Sequence, residues 1–215
     1  NGVPEHLRGT VFPFTYNNPE ELEALLNTHD IGVIKMEVSR NHGPADNFLQ
    51  NVRKLATERN IILIFDECTS GFRETFGGLH KKYGVEPDMA VFGKALGNGY
   101  AITAAIGRRE IMEAAQSTFI SSTFWTERIG PAAGLKTLEV MEREKSWEQI
   151  TEIGKDIDKR WRQLAKKYNL PLEISGLPAL VCFSIRVENW LKYKTLITQE
   201  MLKQSFLAVN TVYVC

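Results

Sequence analysis

Short apolar runs recur through the first half of the chain, and each one is bounded by polar residues or glycines. Such runs predict buried strands, since strands covered on both faces are short and almost continuously apolar. The predicted strands cover residues 32–36, 61–65, 89–92 and 101–106. Asp66 follows the second run directly, and Gly93-Lys94 follows the third. Because open α/β sheets bind ligands at the carboxyl ends of their strands, we expect Asp66 and Lys94 to lie in one site.

Between these runs, apolar residues return at helical spacing. Asn18-Pro19-Glu20-Glu21 is a typical helix start, and Asp46 is predicted to cap a second helix that begins near Phe48. The alternation of strand and helix indicates βαβ crossovers and a parallel sheet. Further helical segments are predicted at residues 80–83, 108–116, 131–145 and 147–168.

The pattern changes after residue 171, where shorter strand candidates replace the long helices. Strands are predicted at 173–174, 180–187 and 211–214, with a helix at 198–207. The predicted fold class is therefore α/β, a mostly parallel sheet with flanking helices, followed by a small α+β unit. We place the division within the last long helix, which makes residues 1–160 a larger domain and residues 161–215 part of a smaller one.

The composition of the chain limits the classes of protein to which it can belong. The 215 residues contain 26 basic and 26 acidic side chains, so no basic excess points to nucleic acid. The apolar runs are far shorter than the roughly 18 residues of a membrane helix. Three widely spaced cysteines favour a reduced, cytoplasmic setting over a disulfide framework. Since the chain starts at Asn1 and stops within an apolar run, we expect it to be part of a longer protein.

Asp66 admits more than one chemistry. An apolar strand that ends in Asp66-Glu67 is typical of nucleotide-hydrolysing domains that bind Mg²⁺. That function also needs a GxxxxGK[ST] loop, and the sequence contains none. Asp66 could instead simply cap the turn that follows it.

Lys94 follows a buried run and has no acidic neighbour in sequence, which suits a lysine that becomes a nucleophilic amine by losing charge on burial. The alternative is an ordinary surface lysine. The four histidines show no metal-ligand spacing, so no metal site is predicted. The hydroxyl cluster Ser121-Ser122-Thr123 suits phosphate oxygens, although a solvated loop would look the same.

Two motifs together resemble those of the class III pyridoxal-phosphate (PLP) aminotransferases of fold type I, most closely the glutamate-1-semialdehyde aminomutase-like branch. The first is FDECTSGFR at residues 65–73, and the second is FGKALGNGY at residues 92–100. Glu37 falls where the family has a glutamate at the end of the preceding strand. The resemblance covers the second half of a typical family member.

The resemblance implies roles for several residues. Lys94 would form a Schiff base with the cofactor, and Asp66 would pair with its ring nitrogen. Cys68 stands where the family usually has a valine under the ring. Thr123 stands where a threonine binds the cofactor phosphate of the neighbouring subunit, which implies a homodimer with a shared active site. Thr69 stands in place of a glutamine beside the ring hydroxyl, and its role and that of Glu37 stay open.

The expected function is transfer of an amino group between a small-molecule amine donor and a carbonyl acceptor. A 2,1-aminomutase, which shifts the amino group within one substrate, would use the same lysine chemistry. The Mg²⁺-dependent nucleotide-hydrolysing domain is the alternative from another class.

Overall fold

A four-stranded sheet lies at the centre of the protein, whose computed structural model describes residues 2–124 and 126–215. Its strands stand in the order β1 (Val33–Met36), β2 (Ile62–Asp66), β3 (Met89–Phe92) and β4 (Ala104–Gly107). The first three are parallel and β4 is antiparallel to β3. The predicted α/β class with a mostly parallel sheet is confirmed. β4 begins three residues later than predicted, because the chain first turns at Tyr100, whose N–H donates to the Gly97 carbonyl.

Helices flank this sheet and lead to a second sheet near the C-terminus. They are α1 (Pro19–Thr28), α2 (Phe48–Glu58), α3 (His80–Tyr83), α4 (Arg109–Met112), α5 (Ile129–Glu144), α6 (Ser146–Lys167) and α7 (Trp190–Lys203). Single 3-10 turns occupy Glu5–Leu7, Lys94–Leu96, Glu113–Ser117 and Pro178–Leu180. The antiparallel strands β5 (Leu172–Ser175) and β6 (Cys182–Ile185) form the second sheet. The two predicted long helices are confirmed, and they are separated at Lys145, whose φ of 48° breaks the helical path.

The two predicted helix starts have different outcomes. At α1 the Asn18 side chain accepts a hydrogen bond from the Glu21 N–H at 3.1 Å, as a capping residue does. The predicted cap at Asp46 is wrong. Asn47 precedes α2 in a left-handed conformation with φ 56°, and the Phe48 N–H donates to the Ala45 carbonyl instead.

Side chains alternate across the sheet and so divide it into two faces. Ile34 and Met36 of β1, with Leu63 and Phe65 of β2, are buried in a cluster with α1 and α2. Because successive side chains of a strand point to opposite faces, Lys35, Ile64 and Asp66 lie on the other face.

The C-terminal region differs most from expectation. The predicted strand 211–214 is wrong as a regular strand. Thr211 forms an isolated bridge to Cys182, and the Val212 and Val214 N–H groups donate to the Val181 and Ala179 carbonyls, which lie before β6. The predicted helix 198–207 starts and ends later in the sequence than the helix in the structure. α7 begins at Trp190, whose ring packs on that of Phe183 with centroids 6.0 Å apart. The helix ends at Lys203, ahead of Ser205 with φ 67°.

The boundary near residue 160 falls inside α6 and stays a prediction. Close packing links this helix to the segment that follows β5. A Cβ added at Gly154 would lie 1.9 Å from the Pro178 carbonyl oxygen. Leu177 and Leu180 of that segment belong to the same apolar cluster as Leu63.

Candidate active site

Asp66 ends β2 with both of its carboxylate oxygens engaged. Oδ2 accepts from the Lys35 Nζ at 2.8 Å, and Oδ1 accepts from the Cys68 N–H at 3.2 Å. The hydrogen bond from Lys35 is the main cause that holds the pKa of Asp66 below its ordinary value of 3.8. Asp66 is thus an ionised, positioned carboxylate at the carboxyl end of a parallel strand.

Lys94 begins the 3-10 turn that follows β3. Its Nζ donates to the Thr69 Oγ1 at 2.9 Å and lies 3.5 Å from the Cys68 Sγ. The side chain is exposed, so the burial expected for it is not seen in this chain. Its φ of 43° is unusual for a residue with a Cβ, and such strain is concentrated at functional sites.

Gly93 allows the two strand ends to come together. A Cβ added at this position would lie 2.8 Å from the Cys68 Sγ and 3.4 Å from the Thr103 Cγ2. Any larger residue would therefore push Cys68 and the Lys94 turn apart. The segment after β2, Cys68-Thr69, therefore packs against the segment after β3, Gly93-Lys94.

Glu67 lies behind this contact, and its side chain is fully buried. It accepts from the His80 N–H at 3.0 Å, from the His80 Nδ1 at 2.8 Å and from the Ser70 hydroxyl. Burial raises the pKa of Glu67, but these hydrogen bonds outweigh it and the pKa lies below its ordinary value. Because the carboxylate faces inward, it cannot position water at a Mg²⁺ ion, as the nucleotide-hydrolysing alternative requires.

The structure brings Asp66, Cys68 and Lys94 together but leaves Thr123 apart. Thr123 is exposed in a turn before α5, and within the described residues its side chain makes no hydrogen bond to the other three. Glu37, just after β1, binds the Arg40 Nη1 through Oε1 at 2.9 Å. Its other oxygen is buried and has no partner among the residues that the structure describes.

Two contacts of the site were not expected from the sequence. Lys35 was not singled out, although a charged residue inside an apolar strand run is a signal that could have found it. The role of Thr69 stayed open, and its hydroxyl accepts a hydrogen bond from the Lys94 amine. In both cases the partner lies far along the chain, and sheet register brings the two together.

These residues fit the cofactor that the motifs suggest. They supply an amine within reach of a hydroxyl, an ionised carboxylate on the neighbouring strand, and a small apolar thiol between them. An open cavity of about 650 Å³ borders the Lys94 turn and is lined by Phe72, Arg73 and Tyr100 among others, but Asp66 and Cys68 do not line it. Its volume lies in the range of small-molecule sites.

The fold is that of the PLP-dependent transaminases. The whole chain superposes on 54% of the Sphingopyxis sp. MTA144 FumI protein in its PLP internal aldimine form, with a TM-score of 0.92 and 22% sequence identity. Ornithine aminotransferase from Plasmodium yoelii matches 86% of the chain and 52% of its own length, with a TM-score of 0.75 and 23% identity.

The chain belongs to the aminotransferase class-III family, whose model matches residues 36–206. It is 34% identical to 3-aminobutyryl-CoA aminotransferase of Cloacimonas acidaminovorans over 92% of the chain and 50% of that protein. It is 35% identical to glutamate-1-semialdehyde 2,1-aminomutase of Methanothrix thermoacetophila over 83% of the chain and 43% of that protein. The chain thus spans about half the length of the curated relatives it matches. The predicted enzyme family is confirmed, and members of this family use PLP.

Proposed function

We propose that the full-length enzyme that contains this chain is a PLP-dependent aminotransferase, which moves an amino group between a small-molecule amine donor and a carbonyl acceptor. One observation carries the proposal. The Lys94 amine and the Asp66 carboxylate stand at the ends of adjacent strands, and Cys68 contacts both residues. Membership of the class III family supports the same conclusion.

PLP, when bound, supplies an aldehyde carbon and a ring that withdraws electrons from that carbon. Lys94 would hold the cofactor through Nζ and afterwards move a proton between the substrate carbon and the cofactor. Thr69 accepts a hydrogen bond from this Nζ at 2.9 Å, which directs the amine toward the site. An amine held in one direction needs less reorientation before each proton transfer, which lowers the entropic cost of that step.

Asp66 would hold the proton on the ring nitrogen, because a nearby negative charge favours the charged form of that nitrogen. The carboxylate is ionised at neutral pH, since even its ordinary pKa of 3.8 lies far below neutrality and its pKa here is lower still. Cys68 would pack under the ring as a small apolar side chain, since its Sγ already lies beside both strand ends.

We also propose a homodimer in which Thr123 of one protomer binds the cofactor phosphate of the other. Thr123 is exposed, and in the described part of the chain its side chain makes no hydrogen bond to its own Lys94. Its surroundings support an interface, because Phe119 is 96% exposed and Phe124 is 72% exposed.

None of the described helices is both long and apolar enough to cross a membrane. The cytoplasmic location stays a prediction.

A 2,1-aminomutase is the second candidate. Several relatives of about 30% identity bear that name, including the one from Methanothrix thermoacetophila. Lys94 and Asp66 would act in the same way, so the two candidates differ only in whether a separate carbonyl acceptor is needed.

The test uses the full-length enzyme, the Lys94→Ala variant and the matched control Lys54→Ala, whose lysine is 71% exposed on α2. We expect the wild type and the control to take up PLP, with its visible absorbance, and to form product. Lys94→Ala should lose the covalent attachment and the activity. Assays with and without an added carbonyl acceptor separate the two candidates. A wild-type enzyme that takes up no PLP would overturn the proposal.

A further inference from the structure

Lys35 forms an ion pair with Asp66 across two neighbouring strands. β1 and β2 are parallel with Lys35 opposite Ile64, and Asp66 lies two residues further along the same face. The lysine side chain spans this offset and places Nζ 2.8 Å from Oδ2. The other oxygen accepts the Cys68 N–H, so each oxygen of Asp66 has a donor within the chain.

We propose that Lys35 is a competing cation that sets the affinity of this site for PLP, because it pairs with the Asp66 carboxylate that would hold the cofactor's ring nitrogen. The inference rests on the proposed function. It assigns to Lys35 a positioning role that acts through Asp66, and it does not involve the covalent chemistry at Lys94.

Charge decides the direction of the effect. A protonated ring nitrogen that approaches Asp66 must displace the Lys35 ammonium or lie beside it. Displacement costs an existing ion pair, and a shared carboxylate brings two like charges close together, so both arrangements weaken binding. Removal of Lys35 would not neutralise Asp66, because the ordinary pKa of 3.8 still leaves the carboxylate ionised at neutral pH.

Exposure limits the size of the effect. The Lys35 side chain is 60% exposed and that of Asp66 is 27% exposed, so water screens the pair. Partly exposed ion pairs change equilibrium constants by about two- to fivefold. We therefore expect Lys35→Met to bind PLP about two- to fivefold tighter than the wild type.

The experiment titrates PLP into the cofactor-free full-length enzyme and follows binding by absorbance. Lys35→Met should bind PLP more tightly than the wild type. Lys35→Arg keeps the cation and should bind PLP as the wild type does, and so should the control Lys54→Met. In the Asp66→Asn background, Lys35→Met should give no tightening, because the carboxylate for which the two cations compete is gone. This last comparison separates action through Asp66 from a general loss of positive charge.

Unchanged or weaker binding by Lys35→Met would overturn the inference, and so would equal tightening in the Asp66→Asn background. Both results leave the proposed function standing as long as the wild type binds PLP. Failure of the wild type to bind PLP would overturn the proposed function itself.

Discussion

The His80 imidazole donates its Nδ1 proton to the Glu67 carboxylate across 2.8 Å, and both side chains are buried. The same carboxylate also accepts the His80 N–H and the Ser70 hydroxyl. Glu67 stands between Asp66 and Cys68 in the chain, so this buried anchor determines where its two neighbours lie. The candidate residues of the site therefore depend on a residue that faces away from it.

Glu67→Gln should destabilise the enzyme by about 2–3 kcal/mol, since hydrogen bonds to a buried charged group are among the strong ones. Chemical denaturation of the full-length enzyme measures the loss. Glu58→Gln is the matched control, because Glu58 is 55% exposed in a pair with Lys54, and its effect should stay within about 0.5 kcal/mol. Equal losses in the two variants would contradict the anchoring role of Glu67.

Asp88 should make stability depend on pH in the acid range. Burial opposes ionisation of this carboxylate, but the Leu63 N–H, Arg53 and Arg108 each donate to it at 2.8 Å and hold its pKa below 3.8. A carboxylate whose pKa is lower in the folded state stabilises the fold above its ordinary pKa. That contribution disappears as the pH falls through the folded-state value.

We expect Asp88→Asn to lower the free energy of unfolding at neutral pH and to reduce its further decline below about pH 4. Urea unfolding at a series of pH values measures both effects. Asp46→Asn changes an exposed aspartate and should leave the pH profile as in the wild type. A wild-type slope in Asp88→Asn would show that other groups cause the acid sensitivity.

Thr69→Val should lower kcat about tenfold while PLP stays bound, because it removes the hydroxyl that accepts from the Lys94 Nζ at 2.9 Å. Thr69→Ser keeps the hydroxyl and should retain most of the activity. Steady-state kinetics and the absorbance of the bound cofactor provide the two measurements. If the serine variant loses as much activity as the valine variant, the hydroxyl does not orient the amine.

Gly93→Ala should destabilise the enzyme by about 1–3 kcal/mol, the usual cost of overpacking, because the new Cβ would lie 2.8 Å from the Cys68 Sγ. Thermal or chemical unfolding measures the effect. The double variant Gly93→Ala with Cys68→Ala removes the sulfur and should recover much of the loss. Gly32→Ala is the control, since no atom lies within 4 Å of its added Cβ. Failure of the double variant to recover would place the strain elsewhere.

Sequence patterns predicted the central sheet because its strands are short apolar runs with sharp polar ends. The strands β1, β2 and β3 lie where these runs occur, and Asp66 and Lys94 lie at their carboxyl ends as expected. An apolar run with polar ends is a feature of neighbouring residues in the sequence, so this information is local. The two motifs at residues 65–73 and 92–100 were likewise sufficient to indicate the family, which the match over residues 36–206 confirms.

Patterns at the C-terminus predicted less, because the elements there depend on distant partners. Residues 211–214 are apolar enough for a strand, yet beyond the bridge to Cys182 the segment pairs with Val181 and Ala179, which do not belong to a strand. The start of α7 depends on the packing of Trp190 against Phe183.

The direction of β4, antiparallel to β3, also follows from how the chain turns after Gly97.

The sequence by itself determined the identity and the order of the catalytic candidates, since Asp66 and Lys94 stand where two apolar strands end. Only the tertiary structure decided their partners. Lys35 contacts Asp66 across 31 positions of sequence, and Lys94 contacts Thr69 across 25. The physical reason is register, because the alignment of neighbouring strands and turns determines which side chains meet, and no local pattern of residues records that alignment.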